Sequence, residues 1–148
     1  MKKINMAINQ NILVTADAVV FGKENSKCGY LLLIERKNEP FQQCWAFPGG
    51  FVEDDEDLRL AAARELEEET GLKISEDKFR QVGAWGTPGR DPRGRTVTIV
   101  FTAEVDINDH QLQAADDASD VKWWPLDKLP KLAFDHQEIL DAVLKTCY

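Results

Sequence analysis

The chain has 148 residues, 43% hydrophobic and 30% charged, with a formal net charge of −8. That length suits one domain, spanning 1–148 and able to bury roughly two-thirds of its unfolded surface; no apolar run approaches the ~20 residues a membrane-spanning helix needs. The acidic balance argues against a nucleic-acid or anionic-membrane surface, because neutralising phosphate takes Lys and Arg.

The opening MKKINMAINQNILV has two lysines but no sustained apolar stretch and no small-residue cleavage site, so no signal peptide is expected. Cys28, Cys44 and Cys147 are odd in number, widely spaced and without a CxxC pair. They point to free thiols in a reducing cytoplasm, not to a disulfide framework or a zinc site.

In chain order, ILVTADAVVFG (12–22) alternates and is rich in β-branched residues, which predicts a strand ending at Gly22. KENSKCG reads as a polar turn, YLLLIER (30–36) as a strand covered on both faces, and KNEPFQQ as a loop. The short apolar CWAF then runs into Pro48, Gly49 and Gly50, which stop regular structure. DLRLAAARELEEETG reads as a helix of strong helix formers, with acids favouring its first turn and Gly71 at its C-terminal stop. Leu58, Ala62 and Leu66 recur every fourth residue and predict its buried stripe. FRQVGAWG (79–86) and TVTIVFTAEV (96–105) follow as strands, with TPGRDPRG a loop between them. NDHQLQAADDASD reads as irregular, VKWW as a short strand ended by Pro125, and LDKLP as a turn. FDHQEILDAVLKTC closes the chain as an amphipathic helix with Ile139, Leu140, Val143 and Leu144 inward. Strands and helices in this order predict an α/β fold with a mixed sheet covered on both faces.

Charge is unevenly placed. Nine acids and only two bases, Arg59 and Arg64, lie between Glu53 and Glu69, whereas 89–95 holds Arg90, Arg93 and Arg95 against one acid. On a helix at about 100° per residue, Arg64, Glu65, Glu68 and Glu69 share one side, and Glu67 points elsewhere. A solvated helix face explains such a cluster. So does a site for Mg²⁺ or Mn²⁺, hard cations that take oxygen ligands and bridge to phosphate.

The spacing is more specific than the composition. Gly50, five residues, Glu56, seven residues, then Arg64-Glu65-Leu66, any residue, Glu68-Glu69, any residue and Gly71-Leu72 run without a gap. This resembles the Nudix box at each of its defined positions, and FPGGF just before it is what Nudix proteins commonly carry. The resemblance implies an α/β/α sandwich around a mixed sheet, with the box as a loop–helix–loop. It implies Glu65, Glu68 and Glu69 as cation-binding and catalytic glutamates, with Arg64 orienting them. It implies the Gly49 carbonyl as a further metal ligand and Glu56 as a weaker one. A metal-dependent hydrolase of a nucleoside diphosphate linked to a group X follows from it.

For X, Pro88 lies 16 residues beyond Leu72, and its surroundings resemble the ADP-ribose pyrophosphatase branch of the family. That branch implies hydrolysis of ADP-ribose to AMP and ribose 5-phosphate, and carries homodimers with it. Arg90, Arg93, Arg95 and Arg36 are candidates for the phosphates, since guanidinium pairs with phosphate bidentately. Trp45 and Phe47 are candidates for stacking on adenine. Glu65, or an acid among Asp116, Asp117 and Asp120, is the candidate general base. Trp123 and Trp124 read as packing residues and His136 as a helix cap. The rival readings are a nucleoside triphosphate pyrophosphohydrolase and a non-catalytic ADP-ribose sensor. The intact box, and a chain too short after its last helix for a DNA-binding domain, weigh against the sensor.

Overall fold

A two-residue turn sets up the sheet. Asn25 and Ser26 both adopt positive φ, 53° and 65°, the type I′ geometry whose twist matches the strands on either side. They join β1 (Leu13–Glu24) to β2 (Lys27–Arg36) in antiparallel pairing. The turn is therefore tighter than the polar run KENSKCG suggests, and β1 continues past Gly22. The computed structural model describes residues 10–115 and 118–147.

Beyond Phe21 and Leu31 the two strands stop pairing with each other. Into the splay goes the segment 45–51: β3 (Trp45–Ala46) pairs with β2, Pro48 turns the chain, and β4 (Gly49–Phe51) pairs with β1. The glycines thus form a short strand where the sequence reading expects regular structure to stop. Gly49 has to lie there without a side chain, because a Cβ would run into the Asp17 carboxylate and the Ala16 carbonyl.

On its other side β1 runs parallel to β6 (Thr96–Asp106), which pairs antiparallel with β5 (Arg80–Trp85). β7 (Ala118–Pro125) takes the far edge of β2, beginning inside the stretch expected to be irregular. The sheet is mixed, as predicted.

Alternation along β1 divides the core. Ala16, Ala18 and Val20 face one layer with Ala61, Ala62 and Leu66 of α1 (Leu58–Thr70). Val19 and Phe21 face the other, with Ile139, Leu140 and Val143 of α2 (His136–Cys147). Trp123 packs against the first layer and Trp124 against the second.

α1 starts on Asp57, whose carboxylate accepts from the Leu58 amide at 2.7 Å. The acids expected in its first turn are absent from it; Asp57 caps and Glu53–Glu56 precede the helix. Gly71, at φ 76°, ends it by donating its N–H to the Glu67 carbonyl. No helix among the described residues is long and apolar enough to cross a membrane.

Candidate functional site

The splay between β1 and β2 opens as a cleft of about 540 Å³, walled by α1 on one side and by the 90–93 loop and Phe134 on the other. Asp17, Phe47 and His136 lie at its base.

On the α1 wall, Arg64 is the hub. Its Nε donates to Glu56 Oε2 at 2.6 Å and its Nη2 to Glu56 Oε1 at 2.9 Å, a fork-to-fork pair. Nη1 donates to Glu65 at 2.9 Å and to Glu68 at 3.2 Å, and Nη2 also to the Phe51 carbonyl at 3.1 Å. The fork holds the Glu56 carboxyl below its usual range. Burial pushes the Glu65 carboxyl above its own, against the pull of Arg64. Glu69 turns inward instead and accepts the Gly49 amide at 2.7 Å.

Glu65, Glu68 and Glu69 lie on one side of α1, as the spacing predicts, but do not meet at one point. Glu65 and Glu68 reach the guanidinium and Glu69 a backbone amide, so their mutual repulsion is relieved by separate donors. Among the described residues, no three His, Cys, Asp or Glu are gathered closely enough to hold an ion by themselves. The donors are nonetheless those of a hard divalent cation. They are all oxygens, and a Cβ at Gly50 would come within 2.5 Å of the Glu65 carboxylate, so this residue gives the carboxylate side of the cleft its room. Glu67 is exposed, as its helical position predicts.

The opposite wall is made of arginines already paired. Thr87–Arg90 is a turn closed by the Arg90 amide on the Thr87 carbonyl at 3.1 Å. Pro88 and Gly89 (φ 84°) stand at its centre, as a type II turn requires. Arg90 then forks onto Asp135 at 2.9 and 2.7 Å, its side chain only 4% exposed. Arg93 forks onto Asp91 at 3.1 and 2.8 Å. Burial pushes the Asp91 carboxyl up, but the hydrogen bonds from Arg93 outweigh it and leave it below the usual range.

At the base, Asp17 accepts the Thr98 hydroxyl at 2.6 Å and lies 3.8 Å from His136 Nε2. His136 Nδ1 accepts the Phe47 amide at 3.2 Å, which places the ring proton on Nε2, towards Asp17. Its ring stacks on Phe47 at 4.4 Å and 15°. Burial raises the Asp17 carboxyl to about 6 and lowers His136 to about 3.

Of the residues read from the sequence, the cleft brings together Arg36, Phe47, Gly49, Arg64, Glu65, Glu69, Arg90 and Arg93. Glu56 and Glu68 stand behind this wall, tied to it through Arg64. Trp45 meets Trp124 edge-on at 5.1 Å and is not among the lining residues, and the Phe47 ring lies against His136. Of the two aromatics expected for adenine, Trp45 is thus taken up in packing, while Phe47 lines the base of the cleft. Pro88 shapes the turn that launches Arg90 without lining the cleft, and Arg95 bonds the Gly86 carbonyl outside it. Asp120 sits on exposed β7, accepting from the Val121 amide at 2.8 Å; Asp116 and Asp117 lie outside the described residues. His136 is no local cap, since its partner is 89 residues away.

The sequence reading missed Asp17, Phe51, Asp91 and Phe134 among the lining residues. Asp17 left a signal: a lone acid inside an apolar strand has to have a partner. Phe134 stands in the stretch LAFDH, whose resemblance to the ADP-ribose branch was its signal, but its φ of 51° could not be read, because bulky residues rarely adopt that conformation.

A mixed sheet between two helices, with an arginine-bound glutamate wall facing a cleft, defines the class. The NUDIX domain model matches residues 12–143, and the chain belongs to the Nudix family. Among similar proteins, an ADP-ribose pyrophosphatase of Methanocaldococcus jannaschii is 46% identical over 78% of this chain and 66% of its own length. An ADPR responsive transcriptional repressor of Acinetobacter baylyi is 37% identical over 86% of this chain and 51% of its own. The chain therefore spans between half and two-thirds of these relatives. Among solved structures, the NUDIX domain of Shewanella oneidensis NrtR complexed with ADP ribose superposes with a TM-score of 0.85 at 32% identity, covering 98% of this chain and 94% of that one. A bifunctional NMN adenylyltransferase/ADP ribose pyrophosphatase of Francisella tularensis, complexed with AMP and a Mn ion, gives 0.81 at 31% identity, over 96% of this chain and 44% of that one.

Proposed function

We propose that the chain hydrolyses the diphosphate linkage of a nucleoside diphosphate derivative, with ADP-ribose and water giving AMP and ribose 5-phosphate. The observation that carries this reading is the Arg64-bound set Glu56, Glu65 and Glu68, placed beside a cleft that also holds Arg36 and Arg93. The likeness to an ADP-ribose pyrophosphatase and to ADP-ribose-bound domains supports the choice of substrate.

Glu65, Glu68, Glu69 and the Gly49 carbonyl would hold Mg²⁺ or Mn²⁺, with Glu56 as a weaker ligand. Such an ion, when bound, neutralises diphosphate charge and makes a water a better nucleophile. Arg64 fixes Glu56, Glu65 and Glu68 by hydrogen bonds, and the Gly49 amide fixes Glu69. Glu65, whose carboxyl burial already raises, is the group placed to take the proton from the attacking water. Arg36 and Arg93 face the phosphoryl oxygens, where charge accumulates in the transition state. The protein acts as one domain in a reducing cytoplasm. Its substrate is a small molecule and not a nucleic acid, and its assembly is a homodimer.

Purified protein with Mg²⁺ is offered ADP-ribose beside ordinary and oxidised nucleoside triphosphates, and kcat/KM is compared. ADP-ribose is expected to lead, with AMP and ribose 5-phosphate as products. Preferential pyrophosphate release from a triphosphate would turn the reading to a nucleotide-pool sanitiser. A second reading, an ADP-ribose sensor, is favoured by the likeness to repressors; tight binding of ADP-ribose without turnover would establish it.

A further inference from the structure

Three of the four cleft arginines are held by carboxylates: Arg64 by Glu56, Glu65 and Glu68, Arg90 by Asp135, and Arg93 by Asp91. Arg36 and Arg93 also share a ring. Arg36, at the end of β2, lays its guanidinium 5.0 Å from the centroid of Phe134, and Arg93 lies 5.6 Å from the same centroid. Arg93 is also 5.5 Å from Phe51, whose side is open to the cleft.

The ring is where it is at a backbone cost. Phe134 has φ 51°, a region that side-chain-bearing residues avoid, and such strain persists only where surrounding structure enforces it. The enforcement is visible on both sides. Upstream, the Trp45 amide donates to the Lys131 carbonyl and the Ala133 amide to the Trp45 carbonyl, at 3.1 and 2.8 Å, so this stretch is laid along β3. Downstream, Asp135 is held by Arg90 and His136 is buried in the base of the cleft. Between these anchors the left-handed turn delivers the aromatic ring into the cleft, where Phe41 packs on it at 4.8 Å and His136 at 5.5 Å.

We propose that Phe134 is a positioning residue: its ring is the common platform that stations Arg36 and Arg93 towards the anionic phosphates of the substrate. The inference rests on the reading that the cleft takes a nucleoside diphosphate derivative. Arginine side chains have many rotamers, and ordering them before the substrate arrives lowers the cost of binding. An aromatic face orders a guanidinium without consuming any of its N–H donors. Asp91 steers Arg93 and the Pro40 carbonyl, accepting from Arg36 Nε at 2.7 Å, steers Arg36; the ring is what the two have in common.

The test compares Phe134→Leu, which keeps bulk without a π face, with Phe134→Tyr, which keeps the face. Phe134→Met is the second apolar variant, should Leu not fold. Three quantities are read: kcat and KM for ADP-ribose with Mg²⁺, calorimetric Kd for ADP-ribose in EDTA, and Tm. For Phe134→Leu, KM and Kd are expected to rise about tenfold, the scale of one to two cation–π contacts, with kcat within about twofold. Phe134→Tyr should restore both. In the Phe134→Leu background, Arg93→Ala should raise Kd less than it does in the wild type, a coupling that a merely structural role would not produce. Unchanged KM and Kd in Phe134→Leu would overturn the proposal while leaving the hydrolase reading intact, and so would a kcat that falls in step with Tm. If the wild type binds ADP-ribose without turning it over, yet Phe134→Leu binds it tenfold more weakly, the hydrolase reading fails and this one stands.

Discussion

On the α1 wall of the cleft, Arg64 finds its carboxylates one, four and eight residues away in the chain; on the facing wall, Arg90 finds Asp135 at a separation of 45, and the base is closed by a bond spanning 89. Both walls set guanidinium against carboxylate, but the exposure differs. The Arg64 side chain is 25% exposed and Glu68 46%, whereas Arg90 is 4% and Asp135 15%. The near wall is therefore the wetter at Arg64 and Glu68, although Glu56 and Glu65 on it are only 11% and 16% exposed, and it is locally assembled. The far wall is dry, and it ties α2 to the 90–93 loop. Losses on the near wall should appear in turnover, and losses on the far wall in stability.

The largest expected effect is on the near wall. Glu65→Gln keeps size and hydrogen bonding but removes the charge and the base. Its kcat should drop by about 10²–10⁴, the range for a positioned general base, while Tm stays close to that of the wild type. Glu68→Gln and Glu69→Gln test the same wall. Rates for all three within a few-fold of wild type would dissolve the distinction between the walls.

That near wall was legible in the sequence because its geometry is helical spacing, and spacing is written directly in the order of residues. Leu66, Glu67 and Gly71 are buried, exposed and left-handed as the periodicity requires. The strands of the sheet were legible too, from apolar alternation in β1 and β6. The far wall was only half legible. Arg90 and Arg93 stood out as a charge cluster, but the partner of Arg90 depends on where α2 docks, which no local pattern encodes. Pro88 and Gly89 were visible as a loop, and their role as the turn that aims Arg90 is a tertiary fact. Trp45 went to packing against Trp124, a contact set by where β7 docks and not by the local sequence.

On the far wall, Arg90→Ala should cost about 3 kcal/mol or more of stability, because it strands Asp135 largely buried without its cation. In a chain this long that is a fall in Tm on the order of 10 °C. Thermal melts in EDTA check it. Arg64→Ala should cost less, because Arg64 is itself the more exposed arginine, at 25% against 4%, and water takes its place more readily. If the two variants melt together, the contrast in burial does not govern stability.

The base of the cleft adds a pH signature. His136, neutral in the fold with its value lowered to about 3 by burial, leaves the unfolded chain to take the proton below about 6.5, so its contribution to stability is lost as pH falls through that window. Asp17, raised to about 6, behaves oppositely: the folded protein binds the proton first, and stability is gained as pH falls from about 6 towards 4. Between about 4 and 6 the two slopes cancel. Asp17→Asn should uncover the histidine alone, making stability fall by about 1 kcal/mol per pH unit relative to wild type across that range. Urea unfolding at three pH values in EDTA measures it. Parallel curves for the two proteins would mean that the groups do not oppose one another.

The smallest effect sharpens the comparison most, because it concerns an arginine with one foot on each side of it. Arg93 belongs to the far wall by sequence, yet its side chain is 41% exposed, close to that of Glu68. Its pair with Asp91 is short-range, two residues apart, and reinforced by the Arg93 amide on the same carboxylate at 2.9 Å. In Arg93→Ala that amide still satisfies one oxygen of Asp91, and water reaches the place the guanidinium leaves. Asp91 is itself only 3% exposed, but it keeps the Arg93 amide as a donor, so the stability cost should be about 1–2 kcal/mol, below that of Arg90→Ala. Binding is another matter, since a guanidinium beside two aromatic rings is ordered at little expense and is lost whole. KM for ADP-ribose should therefore rise roughly tenfold with Tm moved by only a few degrees. A variant that instead loses stability like Arg90→Ala would put Arg93 with the dry wall, and exposure would then be a poor guide to which arginines meet the substrate.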